Sequence, residues 1–218
     1  ASFRIAGNGN QIVLLEADPT CPKKLLTETA LGAPFMLALA LQDVYSLHVS
    51  AVQAGDQLIA FAGESGQGKS TLARFLGFES GPDWQRIIDD TLPFRLNEAG
   101  EVEALPHFPQ LKIKDPFQPL HLVPPRAPLS ALYILDTDSQ EQNEGVQIDR
   151  MGRGEATLAV IKHTVASRLF DRRLLARHLA FSDDFSAGVP VRWLSYPRRL
   201  DHLPLVREAL IADLGLYS

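Results

Sequence analysis

The 218-residue chain has a single cysteine, Cys21. One thiol can form neither an internal disulfide nor a cysteine-built zinc site, and its isolation fits a reducing cytoplasm. Long hydrophobic runs are also missing. The longest, APFMLALAL at 33–41, is about half of what a bilayer-spanning helix needs, so no membrane association is expected. No signal-peptide pattern opens the given residues, and no repeat or low-complexity tract interrupts them. Basic residues are not in excess. The 21 Lys and Arg against 26 Asp and Glu leave a net charge of −5, which argues against a general nucleic-acid-binding surface. The remaining composition, 45% hydrophobic and 22% charged, is that of an ordinary globular protein. The length suits one domain over 1–218.

The most informative stretch is GESGQGKS, Gly63 to Ser70. It fits the pattern G-x-x-x-x-G-K-[ST] of a phosphate-binding loop. Gly63, Gly66 and Gly68 permit positive φ and close approach of backbone to an anion. Successive N–H groups then cradle phosphates. Lys69 reaches the terminal phosphates, and the Ser70 hydroxyl is placed to ligate Mg²⁺. The run LIAFA before the loop reads as a buried strand, and STLARFLGF after it as a helix whose N-terminus faces the anion. Gly63, Glu64, Ser65, Gly66, Gln67, Gly68, Lys69, Ser70 and Thr71 are therefore the expected nucleotide-contacting residues, with ATP and Mg²⁺ as ligands.

Around this loop the chain reads as many short strands and few helices. SFRIA and QIVLLEA flank a turn at GNGN, and an apolar segment predicts a helix over 32–42. YSLHVSAV predicts a strand with His48 in its middle, where a packed, hydrogen-bonded histidine is the alternative to a functional one. QRIIDD predicts a strand ending in Asp89 and Asp90. Carboxylates at a strand end after a phosphate loop are where a nucleotide enzyme holds Mg²⁺ or a base, although Asp also starts ordinary turns. Residues 105–129 are proline-rich and predict an irregular segment with LKIK as its only short strand. His107, Lys112, Lys114 and His121 within it read as solvated. SALYILDTD predicts a strand before a polar loop tip. Helices are expected over 154–168, with Leu158, Ile161 and Val165 inward, and over 171–186, with Leu174, Leu175, Leu179 and Phe181 inward. PVRWLSY predicts a strand. A final helix from about Leu203 would bury Leu205, Leu210 and Ile211. The strands before the loop lack βαβ spacing. The expected fold is therefore α/β of the α+β kind: a mixed, largely antiparallel sheet carrying the phosphate loop.

Four stretches resemble the kinase domain of HPr kinase/phosphorylase and its shorter relatives: LHVSAV, GESGQGKSTL, IIDD and MGRGEATLAVIKHT. The resemblance spans about residues 45–165 and implies the fold shared with phosphoenolpyruvate carboxykinase. It implies that Asp90 takes the proton of the acceptor hydroxyl, that Asp89 supports it, and that His48 pairs with these carboxylates. It implies further that Lys69 holds the β- and γ-phosphates, that Ser70, Asp89 and Asp90 serve the metal, and that Arg153 lies on the phosphate side. The chain departs from the family pattern in two places. HFPQLKI stands where the family has a Glu-containing signature, and Met-Gly-Arg-Gly lacks the proline of the family's loop. The ending VPVRWLSYPRRLDHLPLVREAL is similar to the shorter relatives, which include peptide kinases of lasso-peptide biosynthesis.

The expected activity is thus ATP-dependent phosphorylation of a serine-type hydroxyl on a peptide or small protein. A kinase for a small hydroxylated metabolite such as free serine, and a silent nucleotide-binding regulator, are the alternatives. The resemblance leaves assembly into a homo-oligomer open.

Overall fold

The computed structural model describes residues 1–81, 83–108, 124–136 and 145–216. Lys112, Lys114, His121, the LKIK strand and most of the 138–145 loop tip lie outside these residues. The elements in chain order are β1 (Ser2–Ile5), β2 (Ile12–Glu16), α1 (Lys23–Leu31), α2 (Ala33–Ala40), β3 (Tyr45–Leu47), β4 (Val49–Ala54), β5 (Gln57–Ala62), α3 (Lys69–Glu79), β6 (Trp84–Asp89), β7 (Leu92–Leu96), β8 (Val102–Ala104), β9 (Ala127–Leu135), β10 (Gln147–Arg150), α4 (Arg153–His163), α5 (Arg172–Gly188), β11 (Val191–Ser195) and α6 (Leu203–Leu214).

The fold is α/β with a mixed, mostly antiparallel sheet. Among the described residues nine strands join it, and β9 is the branch point. β9 pairs in parallel with β5 on one edge and with β11 on the other, while β4 and β6 continue beyond β5 in antiparallel steps. The first residues of β9 instead pair with β8, which leads to β7 and β3. β1 and β2 form a separate hairpin. It turns at Gly9, whose carbonyl accepts a hydrogen bond from Gln42.

Both faces of the central strands are covered. On β5, Leu58, Ala60 and Ala62 point to a core shared with α4 and α5, where Val160, Leu174, Phe181 and Phe185 pack. Ile59 and Phe61 point the other way, to Leu72, Ala73 and Leu76 of α3 and to Leu203, Val206 and Leu210 of α6. A strand buried on both faces has no polar alternation, which is why LIAFA reads as a continuous apolar run.

The structure departs from several sequence expectations for identifiable reasons. The helix expected over 32–42 is α2, which Pro34 opens, and α1 is a further helix that precedes it without having been expected, with Gly32 separating the two. The strand through His48 is also two. β3 pairs with β7, β4 pairs with β5 and β6, and His48 sits in the joint. α4 stops at His163, after which the Val165 N–H donates to the Ser46 carbonyl and ties the chain back to β3. β9 begins at Ala127, inside the segment expected to be irregular. On α5, Leu175 and Leu179 are 47% and 55% exposed. The inner face is Leu174, His178, Phe181, Ser182 and Phe185. Those positions keep helical spacing, but two of them are polar and so escape a hydrophobic pattern. Leu158 on α4 and Leu205 on α6, both expected inside, are exposed as well.

His178 shows how the polar positions are accommodated. Its ring stacks on Tyr45, with centroids 5.1 Å apart, and its Nε2 lies 2.9 Å from the Thr164 hydroxyl. Burial pushes its pKa from 6.5 down to about 4. His163, at the end of α4, is also brought to about 4, first by burial and then by the neighbouring Lys162 charge. Both rings stay neutral in the folded chain at pH values where unfolded histidines bind a proton. The stability they contribute is present above about pH 6.5 and is lost as pH falls towards 4. The unfolding free energy measured in urea should hold from pH 8 to 7 and then drop between pH 6.5 and 5, by about 2 kcal/mol per ring. His178→Leu should make that drop shallower.

Packing of α3 against β6 generates a second expectation. A Cβ on Gly77 would lie 2.5 Å from the Arg86 backbone nitrogen and 2.6 Å from its Cβ. Backbone cannot yield as a flexible side-chain tip can. Gly77→Ala should therefore lower stability by about 1–3 kcal/mol in denaturant unfolding, despite the better helix propensity of alanine.

Candidate active site

Strand register gathers the site at one sheet edge. β5 and β6 both run antiparallel to β4, so their C-terminal ends lie together beside the start of β4. Val49 is opposite Ala62, the last residue before the glycine-rich loop, and Ser50 is opposite Asp89. The Asp90 N–H donates to the Val49 carbonyl, 3.1 Å. His48, the loop from Gly63 and the Asp89–Asp90 pair therefore meet without any long-range folding of side chains.

The loop between β5 and α3 has the backbone that its glycines allow. Gly66 and Gly68 have φ of 84° and 94°, values that disfavour any side chain. At Gly63 the constraint is space. A Cβ there would lie 2.3 Å from Gln67 Oε1, and that oxygen accepts the Glu64 N–H. Gln67 thus closes the loop on itself. Gly68 precedes the first turn of α3, which no side chain caps, so its N–H groups are available to an anion. Lys69 is buried, with Nζ donating to the carbonyls of Gly63 (2.7 Å) and Glu64 (3.0 Å).

A cavity of about 320 Å³ opens over this loop. Its walls are Ser65, Gly66, Gly68, Lys69, Ser70 and Thr71 on one side and His48, Ser50, Asp89 and Asp90 on the other. The two carboxylates have different partners. Asp89 accepts from the Ser50 hydroxyl (2.7 Å) and from Arg86 (3.2 Å). Asp90 faces His48, whose Nδ1 is 3.5 Å from Oδ1. The His48 N–H donates to the His163 carbonyl, 2.9 Å, which fixes the joint between β3 and β4. Asp90 has φ of 111°, left-handed backbone for a non-glycine residue. Such strain persists only where surrounding contacts hold it, and it is common at functional positions.

The donor set suits a polyphosphate with a hard cation. The loop offers consecutive N–H groups and a lysine, while Ser70, Asp89 and Asp90 offer oxygen ligands. Among the described residues no three His, Cys, Asp or Glu side chains form a closed metal cage. A cation here would be held by one or two carboxylates, the Ser70 hydroxyl and the phosphates themselves, an arrangement that Mg²⁺ favours.

Arg153 stands apart from this cavity. It forms a two-pronged ion pair with Asp183 of α5, at 2.9 and 2.6 Å, and lines a different cavity with Arg150 and Arg192. It is not among the residues that line the cavity with Lys69 and Asp90. Three other cations are close to the site instead. Arg86, 7% exposed, reaches Asp89 because one residue of β6 is bulged, at the register shift opposite Ala51 and Val52. The bulge brings residues three apart to one side of a strand. Lys162 pairs with Glu64 at 2.7 Å, and that contact holds the Glu64 carboxyl below its ordinary pKa. Arg198 donates to the Gly66 carbonyl. Only the Arg-Arg pair in YPRRL could have hinted at the last, and nothing local marks the other two.

No protein-family model and no curated protein matches the chain. Among solved structures it is similar to the Hpr(Ser) kinase/phosphatase from Coxiella burnetii. The TM-score is 0.41 at 14% identity, covering 78% of this chain and 96% of that one. A likeness at that level carries nothing about chemistry, which rests on the geometry of the cavity.

The strain at Asp90 has a measurable counterpart. Asp90→Gly relieves it and loses the His48 contact. Unfolding should move to higher denaturant, by about 1 kcal/mol after the added freedom of glycine in the unfolded chain. A loss of stability instead would mean that the His48 contact outweighs the strain.

Proposed function

We propose that the chain is an ATP-dependent kinase that phosphorylates a serine-type hydroxyl on a peptide or small protein. The observation that carries this reading is the juxtaposition, in one cavity, of Lys69 and Ser70 from the glycine-rich loop with Asp90 held against His48. A nucleotide-binding regulator needs the loop but has no use for a strained carboxylate facing it.

Bound ATP supplies the transferable phosphoryl group, and Mg²⁺ offsets its charge. The chain's own residues do the rest by position and electrostatics. Lys69 exchanges its two carbonyl partners for phosphate oxygens. Ser70 and Asp89 serve the cation, with Asp89 held by Arg86 and Ser50. Asp90 accepts the acceptor's hydroxyl proton as the oxygen bonds to the γ-phosphorus and the bond to the β-phosphate oxygen breaks, releasing ADP. His48 orients Asp90, and the His163 carbonyl anchors His48.

The roles separate in a binding and turnover experiment. Asp90→Asn should leave ATP affinity within about twofold and lower transfer at least about a hundredfold, the usual share of a general base. Lys69→Ala should weaken both. The assay is phosphate transfer from labelled ATP to a peptide panel, with the modified site mapped by mass spectrometry. Wild-type transfer by Asp90→Asn would overturn the base. ATP binding with no transfer to any peptide or to free serine would favour the regulator.

A further inference from the structure

The loop has three cavities around it, and they differ in charge. One is the reaction cavity with Asp90. A second, about 390 Å³, lies past Glu64 and Gln67 and carries the carboxylates of Glu64, Asp136 and Glu155 together with Lys162 and His163. The third, about 230 Å³, lies past Gly66, Gly68 and Thr71, with Tyr196, Arg198 and Arg199 among its walls. Thr71, Leu200 and Leu203 also line a further hollow of about 340 Å³ with Arg74, Phe75, Glu79 and Pro204. The last two cavities are neighbours that share Thr71, Leu200 and Leu203 as walls, beside the N-terminal turns of α3.

We infer that this arginine-bearing groove takes the nucleoside half of the phosphoryl donor. The inference rests on the kinase reading of the loop and adds where the base and ribose go. The polarity of the loop supports it. Lys69 and Ser70 serve the terminal phosphates and the cation, so the reacting end lies toward Asp90. Thr71, the next residue, is shared by the reaction cavity and the groove. A triphosphate lying on the loop with its reacting end at Asp90 leaves at the Thr71 side.

Charge makes the same choice. The first cavity sets three carboxylates against one lysine, Lys162, which pairs with Glu64, whereas the groove sets Arg198, beside the Gly66 carbonyl, Arg199 and Arg74 against one carboxylate, Glu79; for Arg74 no hydrogen bond or ion pair occurs among the described residues. Its chemistry suits a flat heteroaromatic base. Leu200, 73% exposed, and Phe75 give apolar walls, and Arg74 gives a guanidinium able to lie against a ring. The phenol end of the buried Tyr196 sits behind Gly68, 3.6 Å from where a Cβ would stand, so the groove wall and the loop are packed as one unit.

The test is calorimetric titration of the full chain with Mg-ADP and with Mg-pyrophosphate, which share two phosphates and differ in the nucleoside. Wild type should bind ADP at least about tenfold tighter. Leu200→Asn, a change at an exposed position, should weaken ADP about fivefold and leave pyrophosphate unchanged. Leu158→Asn, on the wall of the carboxylate-lined cavity, should change neither. Equal affinity of wild type for both ligands overturns the nucleoside site and leaves the phosphate loop standing. Binding of neither ligand overturns both. Weakening of ADP by Leu158→Asn alone, or equal weakening of both ligands by Leu200→Asn, also overturns the assignment.

Discussion

Everything at the sheet edge that carries the candidate site depends on the backbone pairing of β4. This one strand hydrogen-bonds to β5 on one side and to β6 on the other. Its register sets Val49 beside the start of the glycine loop and Ser50 beside Asp89. Side chains alternate across a sheet, so a slip of one residue would turn the carboxylates away from the loop. The slip is resisted by burial on both faces, since Val49, Ala51 and Val52 are fully enclosed. A few kcal/mol of apolar packing per side chain thus determines where the charged groups stand.

The helices divide the labour on either side of that sheet. α3 and α6 pack on one face, α4 and α5 on the other. α3 brings the loop's N–H groups, and the chain leading into α6 brings Arg198 to the same loop. From the opposite face α4 sends Lys162 to Glu64 and the His163 carbonyl to His48. The loop is therefore held from both layers, and a shift of either helix pair is felt at its backbone.

Much of the site was legible in the sequence, because its pieces are local. The glycine spacing, the strand before it and the acidic pair at the end of β6 each follow from chemistry within eight residues. His48 was legible only as a choice between a packed and a functional residue, and the break between β3 and β4 at that position resolves where it stands. Arg86, Lys162 and Arg198 were not legible. The first depends on a bulge, the second on where α4 ends, and the third on the docking of a distant segment. Arg153 shows the converse: the resemblance implies a place beside the phosphates, whereas in the structure its side chain pairs with Asp183 of α5. The inner face of α5 was misread because His178 and Ser182 are buried polar groups that a hydrophobic pattern does not register, His178 bonding Thr164 beyond α4 and Ser182 donating to the His178 carbonyl one turn back.

Lys69 has a further consequence. In the structure its ammonium group already holds two carbonyl oxygens of its own loop. An incoming anion must compete with these neutral partners rather than settle on a waiting charge. A singly charged, weakly coordinating ion gains little by the exchange. A polyphosphate with its cation gains several charge-assisted bonds at once. On the kinase reading proposed above, the loop would favour a ligand that carries several charges over a singly charged ion such as chloride.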